Sequence, residues 1–171
     1  MPIFLEPFST KHITSEYCSY VLDPEVNKYS YRKFYNTSTK TIAEDAIKEL
    51  NNSLLHKFAI ILCGVKVHIG NISLVEYDAP IGCAELGILI FPPYWARGYG
   101  EKATRELLNF AFFEMKLNRV ELGTYNPAAL RMFHKAGFLL EGVRENKFPD
   151  GSLLLPEYLM GINRKHYQRG S

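Results

Sequence analysis

Residues 88–100 read I-L-I-F-P-P-Y-W-A-R-G-Y-G, and this stretch decides how the rest of the chain is read. Ile88, Leu89 and Ile90 end an apolar strand, Pro92-Pro93 brakes it, and Gly98 and Gly100 lead into a helix opening at Glu101. A strand that hands a glycine loop to a helix N-terminus builds an anion site. The first-turn N–H groups have no intrahelical acceptor, and the helix dipole adds partial positive charge. Gly98 and Gly100 place no Cβ between those amides and a bulky phosphate. The stretch predicts a site for a phosphorylated cofactor.

On the N-terminal side of this loop, Gly82–Ile90 reads as a strand entered through the turn Asp78-Ala79-Pro80. Before it, Lys57–Cys63 and Val67–Tyr77 form a hairpin around Gly64. Ile3–Leu5 is a short first strand, and a helix capped by Ser9 or Thr10 runs to Leu22, where Asp23-Pro24 stops it. A second helix spans Thr41 to Leu54, with Ile42, Ala46, Ile47 and Leu50 on one face. The stretch between the two helices, Lys28 to Lys40, is irregular.

On the C-terminal side come a helix from Glu101 to Lys116, a strand Val120–Tyr125, and a helix Pro127–Ala136 stopped by Gly137. Leu139–Lys147 and Leu153–Ile162 close the chain as a hairpin about Pro149-Asp150-Gly151. The order β-α-α-β-β-β-α-β-α-β-β predicts an α+β fold with a mixed, mostly antiparallel central sheet flanked by helices. Its one right-handed parallel crossover spans residues 88–125.

Composition excludes several classes. A chain of 171 residues suits one domain, residues 1–171, with a core that needs no disulfide or metal. A net charge of +2 without a Lys/Arg block gives no electrostatic footprint for nucleic acid. Cys18, Cys63 and Cys83 are scattered and odd in number, which fits free thiols in a reducing compartment. The first residues, MPIFLEPFST, do not have the make-up of a signal peptide, and no apolar run is long enough to cross a bilayer. The expectation is a soluble cytoplasmic protein with no membrane partner, a monomer or a homodimer.

G-Y-G-E-K-A also satisfies the relaxed G-x-G-x-x-A dinucleotide fingerprint. Three features oppose that reading. Seven residues separate Ile90 from Gly98, and the acidic residue of the following strand, Glu121, is mid-strand. The roughly seventy residues left are too few for a doubly wound sheet.

A second segment, N-P-A-A-L-R-M-F-H-K-A-G-F from Asn126, directly follows a strand. Together with Y-W-A-R-G-Y-G it resembles the GNAT superfamily of acyl-CoA N-acyltransferases, and most closely the RimJ/RimL-like branch of ribosomal-protein N-terminal acetyltransferases. The resemblance runs from Ile3 to Ile162 and implies acetyl-CoA as co-substrate, with no metal. It implies that Ile88, Leu89 and Ile90 pair with pantetheine through backbone. Trp95, Ala96, Arg97, Gly98, Tyr99, Gly100 and Glu101 would wrap the pyrophosphate. Asn126 would bond the pantetheine arm, and Phe133 and Lys135 would approach from the following helix. Three positions depart from the family pattern: Trp95 stands where a Gln or Arg is usual, Ala129 where a Ser is, and Phe133 where a Tyr serves as acid for the thiolate. Tyr125 and His134 are the candidate replacements.

Direct transfer needs a neutral amine beside a polarised carbonyl. Glu85, three residues before Ile88, is the candidate base. An N-terminal amine titrates near 8 and a lysine or polyamine near 10.4, so a single carboxylate favours the former. The stretch Asn27–Lys40 is expected to wall the acceptor, with Tyr29, Tyr31 and Arg32 as substrate-binding candidates. Its Lys28, Arg32, Lys33 and Lys40, with no acidic residue, suit a phosphate or carboxylate and argue against polyamines. The acceptor is then an amino sugar, free or nucleotide-linked, or a protein N-terminal amine. A catalytically silent CoA-binding or regulatory module is the alternative that Ala129 and Phe133 leave open.

Overall fold

The computed structural model describes residues 1–78 and 80–167, and the side chains of all of these but 76–78. Seven strands form one sheet: β1 (Ile3–Pro7), β2 (Leu55–Leu62), β3 (Val67–Asp78), β4 (Cys83–Ile90), β5 (Arg119–Thr124), β6 (Leu139–Asp150) and β7 (Leu153–Asn163). Their spatial order is β1-β2-β3-β4-β5-β7-β6, antiparallel except between β4 and β5. The helices are α1 (Ser15–Leu22), α2 (Pro24–Asn27), α3 (Thr39–Leu50), α4 (Tyr99–Asn109) and α5 (Pro127–Ala136). The expected α+β architecture with its single parallel crossover is what the chain adopts.

Strand alternation sorts the core into two layers. Ile60, Leu62, Ala84, Leu86, Val120 and Leu122 point to the face covered by α4 and α5, where Ala103, Leu107 and Leu108 are fully buried. Ala59, Ile61 and Phe91 point the other way, onto Tyr17, Cys18 and Val21 of α1 and Ile42 and Ala46 of α3. That second layer meets the β1–β4 end of the sheet; on this face Tyr31 and Phe34 cover Phe148 of β6, and the helices leave the rest of β5, β7 and β6 open.

Capping explains where several boundaries differ from expectation. The helix expected from Ser9 or Thr10 is two pieces. Ser9 N–H donates to His12 Nδ1 at 3.0 Å and closes a short 3₁₀ turn, and Thr14 Oγ1 then caps α1 by accepting from Tyr17 N–H at 3.1 Å. Asp23 does not only stop α1; its carboxylate accepts from Glu25 N–H at 2.8 Å and starts α2. Ser38 caps α3, two residues earlier than expected. α4 widens into a π-turn over Phe110–Glu114 before Lys116, in the left-handed region, ends it. Gly137 is the stop read from the sequence: at φ 105° it donates to His134 O while Phe138 N–H donates to Phe133 O, both at 3.0 Å. Pro149 and Asp150 belong to β6, so the last hairpin turns at Gly151-Ser152. The expected turn at 78–80 includes Ala79, outside the described residues. Among the described residues no helix is long and apolar enough to cross a membrane.

Candidate active site

The parallel ladder between β4 and β5 has three steps, Cys83–Arg119, Ala84–Val120 and Glu85–Glu121, yet both strands run on beyond it. Past Glu85 they separate, and a fork opens in the sheet. β4 stays paired with β3, and Phe91 N–H donates to Ile69 O at 2.9 Å. Bonding alternates along an antiparallel ladder, so Leu89 turns its backbone groups toward β3 while Ile88 and Ile90 turn theirs into the fork. This corrects Leu89 as a backbone contact; its side chain packs in the α1–α3 layer. The Ile90 carbonyl already accepts Trp95 Nε1–H at 2.6 Å, so Trp95 braces the loop against the rim of the fork.

The glycine loop follows directly. Ala96 and Gly98 are both left-handed, at φ 57° and 75°, a backbone that gathers amides into one concavity. Lys102 N–H bonds Gly98 O at 3.2 Å, and among the described residues the N–H groups of residues 97–101 before it find no acceptor. The two glycines do different work. A Cβ on Gly98 would meet nothing within 4 Å, whereas one on Gly100 would strike Met132 Sδ of α5. Gly98 therefore keeps the amides approachable, and Gly100 instead lets α5 lie close on α4, a correction to the role expected of it. Tyr99 is buried in the core and offers only its backbone. Glu101 bonds Arg105 Nε and a terminal nitrogen at 3.2 and 3.1 Å, which draws its charge along the helix away from the loop. Arg97 lies near the Tyr94 ring, 6.0 Å from its centroid.

On the uncovered face, a trough of about 260 Å³ runs across β4, β5, β7 and β6. Glu85, Glu121, Glu141 and Glu157 line it with Arg119 and Arg144, a surplus of two negative charges. Arg119 bonds Glu121 at 2.7 Å and pairs with Glu141. The Glu141 contact holds the guanidinium above its ordinary pKa, and the same contact holds Glu141 below the usual carboxylate value. Arg144 bonds Glu157 at 3.0 Å. Among the described residues Glu85 has no such partner.

At the open end of the fork, Tyr125 Oη donates within reach of Tyr31 Oη (3.1 Å) and Glu157 Oε1 (3.2 Å). Its ring lies 4.4 Å from Phe148 and 5.8 Å from Tyr31. Burial, with the Tyr31 hydrogen bond and the Glu157 charge adding to it, pushes the phenol well above its ordinary pKa. Glu157 reaches this position over Gly123, where a Cβ would sit 2.6 Å from Oε1.

The acetyltransferase (GNAT) domain family matches residues 3–139. The chain belongs to the GNAT acetyltransferases. It is 26% identical over 157 residues to the uncharacterized N-acetyltransferase p20 of Bacillus licheniformis, covering 88% of this chain and 86% of that one. It is 27% identical over 146 residues to the uncharacterized N-acetyltransferase YnaD of Bacillus subtilis, covering 84% and 83%. Its fold is similar to the spermidine N-acetyltransferase from Vibrio cholerae solved with CoA and spermine (TM-score 0.86, 19% identity, 96% of each chain). It is also similar to a GNAT acetyltransferase from Bacillus anthracis (TM-score 0.83, 24% identity, 96% of each chain).

Within this GNAT chain, the other expected site residues divide. Asn126 caps α5, its Oδ1 accepting from Ala128 N–H at 2.9 Å, which leaves its Nδ2–H₂ group for a ligand at the fork. Phe133 is buried against Phe138 in the core, so its side chain is structural and not a cofactor contact. Lys135 is exposed, with its carbonyl accepting from Arg105 at 2.5 Å. His134 lines a separate apolar pocket with Leu139 and Leu140 and is no partner of Tyr125.

Of Tyr29, Tyr31 and Arg32, Tyr31 reaches the fork, through the hydroxyl and ring of Tyr125. The basic wall dissolves: Lys33 bonds Asp150 at 3.2 Å and lies 4.5 Å from the Phe148 centroid, while Lys40 pairs with Glu44 on α3. Glu157 and Arg144 were missed, because only the register of β5, β7 and β6 brings them beside Tyr125. Among the described residues no three His, Cys, Asp or Glu side chains are grouped to hold a metal ion.

Proposed function

We propose that the chain, as one domain over residues 1–171, transfers an acetyl group from acetyl-CoA to a primary amine by direct attack. The observation that carries this is the fork: the inward-turned backbone of Ile88 and Ile90 lies next to the acceptor-free amides of residues 97–101. A pantetheine arm suits the first because its amides mimic a strand, and a diphosphate suits the second. Gly98, open above those amides, fits the group where a side chain would not. Ile88, Ile90, Asn126 and the backbone of Ala96–Glu101 would hold it, and Lys135 stands at the solvent edge. Bound there, acetyl-CoA would supply the thioester that the amine attacks.

The acceptor enters as a cation. The surplus of negative charge disfavours a phosphate, so a nucleotide-linked sugar is withdrawn, while an unphosphorylated amino sugar or a protein N-terminal amine fits. The latter would carry the RimJ/RimL-like branch. A polyamine is the second reading, favoured by the acidic trough and by the fold-level likeness to a spermidine N-acetyltransferase. Glu85, exposed at the closed end of the fork and without an ion-pair partner among the described residues, would take an ammonium proton through water.

Free-thiol release from acetyl-CoA with a panel of aminoglycosides, polyamines and N-terminal peptides tests this. Turnover on at least one amine is expected. CoA binding without turnover on any of them would favour the silent module.

A further inference from the structure

Tyr125, Glu157, Tyr31 and Arg144 form a connected group at the open end of the fork. Tyr125 has one proton and two oxygens that can receive it, so that proton is directed away from the fork and its remaining lone pair is left to accept. The Glu157 side chain is only 13% exposed, and Arg144 holds its other oxygen at 3.0 Å. Gly123 beneath it and the rings of Tyr31 and Phe148 beside Tyr125 fix the pair in place. Glu85, by contrast, is exposed and stands where β4 and β5 are still joined.

We propose that Tyr125 accepts the proton of the attacking amine and passes its own to Glu157, with Tyr31 and Arg144 as positioning residues. This rests on the acetyl-transfer reading. As the amine nitrogen bonds the acetyl carbon, the C–S bond breaks and its electron pair leaves on sulfur. The nitrogen proton moves to Tyr125 Oη while the phenol proton moves to Glu157 Oε1. Glu157 then returns its proton to solvent and the thiolate takes one from solvent, so one proton passes from nitrogen to sulfur overall. A phenol held protonated by burial is suited to relay rather than to standing as a phenolate. The same relay accounts for an enzyme that keeps phenylalanine at position 133, because it leaves the thiolate to protonate from water.

Steady-state kinetics of Tyr125→Phe, Glu157→Gln, Glu157→Asp and the Phe/Gln double variant, from about pH 6 to about pH 10 across the amine range, test this. Each neutralising variant should lower kcat roughly 100-fold at neutral pH, with the KM for acetyl-CoA within about twofold. The double variant should be no slower than either single one, Glu157→Asp should recover part of the rate, and the deficit should shrink at high pH, where hydroxide can take the proton in the relay's place. Unchanged kcat in Tyr125→Phe, a loss equal at every pH, or multiplying losses in the double variant would overturn the relay. Wild-type turnover with an unimpaired Tyr125→Phe overturns the relay alone; a wild type that acetylates no amine overturns acetyl transfer and the relay together. Should Tyr125→Phe fail to fold, the near-isosteric Glu157→Gln carries the same test.

Discussion

Replacing Gly98 by alanine separates the anion cradle from ordinary loop packing. At φ 75° an L-residue is disfavoured by about 1–2 kcal/mol, which for a chain of this size lowers the melting temperature by roughly 2–6 °C. The new methyl meets no protein atom within 4 Å, so nothing else in the fold resists it. In the proposed cradle it would crowd a phosphate held by the amides of residues 97–101, where one hydrogen bond to a charged group is worth about 1.5–3 kcal/mol. CoA should therefore bind roughly 10–100-fold more weakly. Gly100→Ala is the control two residues away. Its methyl strikes Met132, an overpacking of about 1–3 kcal/mol offset by about 1 kcal/mol of helix propensity, and it faces α5 rather than the loop. Its CoA affinity should stay within about threefold. Titration calorimetry with CoA, and with pantetheine lacking the diphosphate, reads both variants. A CoA dissociation constant unmoved by Gly98→Ala, or an equal loss for pantetheine, would refute the cradle.

Gly123→Ala puts a Cβ 2.6 Å from Glu157 Oε1 and should push that carboxylate off Tyr125, lowering kcat about tenfold or more while CoA titration stays unchanged. Asn126→Ala removes the cap on Ala128 N–H and should cost about 1 kcal/mol in chemical denaturation, with a rise in the KM for acetyl-CoA. Burial lowers the pKa of both His12 and His68, whose rings lie 5.3 Å apart among Phe8, Tyr17 and Phe91, with Glu6, Lys11 and Lys57 the nearby charges. The unfolded chain then binds protons that the native one refuses. Stability should be full above about pH 6.5 and fall as pH drops below it, and His68→Gln should flatten that slope. Urea midpoints on either side of that pH check the sign; a flat wild-type profile would count against it.

Much of the fold was legible because local signals and tertiary packing agree. Alternation in β4 and β5, the Asn126-Pro127 start of α5 and its Gly137 stop each express a preference that the packed sheet also satisfies. Boundaries slipped where a side chain competed for the backbone, as Thr14 and Asp23 do around α1. The glycine loop between strand and helix was legible, yet the packing reason for Gly100 was not, since its neighbour Met132 lies 32 residues on. Charge was the least legible property. A run of lysines and an arginine looked like a wall, and two of its three lysines are drawn to Asp150 and Glu44, whereas the acidic trough assembles from four strands. Glu157 carries no local sign of importance; it acquires one only from pairing across β5 and β7.

The trough and the relay together resolve a conflict between binding and reaction. Unpaired negative charge attracts an ammonium group but also stabilises it, and only the neutral amine can attack. At an effective dielectric near 20, one carboxylate about 8 Å away holds the ammonium by about 2 kcal/mol, or roughly 1.5 pKa units. An acceptor well bound in the trough is thus harder to deprotonate than the same amine in water. Most of the trough's charge is accordingly tied down in Arg119 and Arg144 pairs, while Glu85 remains to draw the cation in. At the other end, a phenol already bonded to a carboxylate offers the proton a path. One carboxylate acting alone favours a low-pKa amine. With a second one coupled through Tyr125, more basic amines come within reach, and the choice of acceptor passes from proton affinity to the shape and charge of the trough.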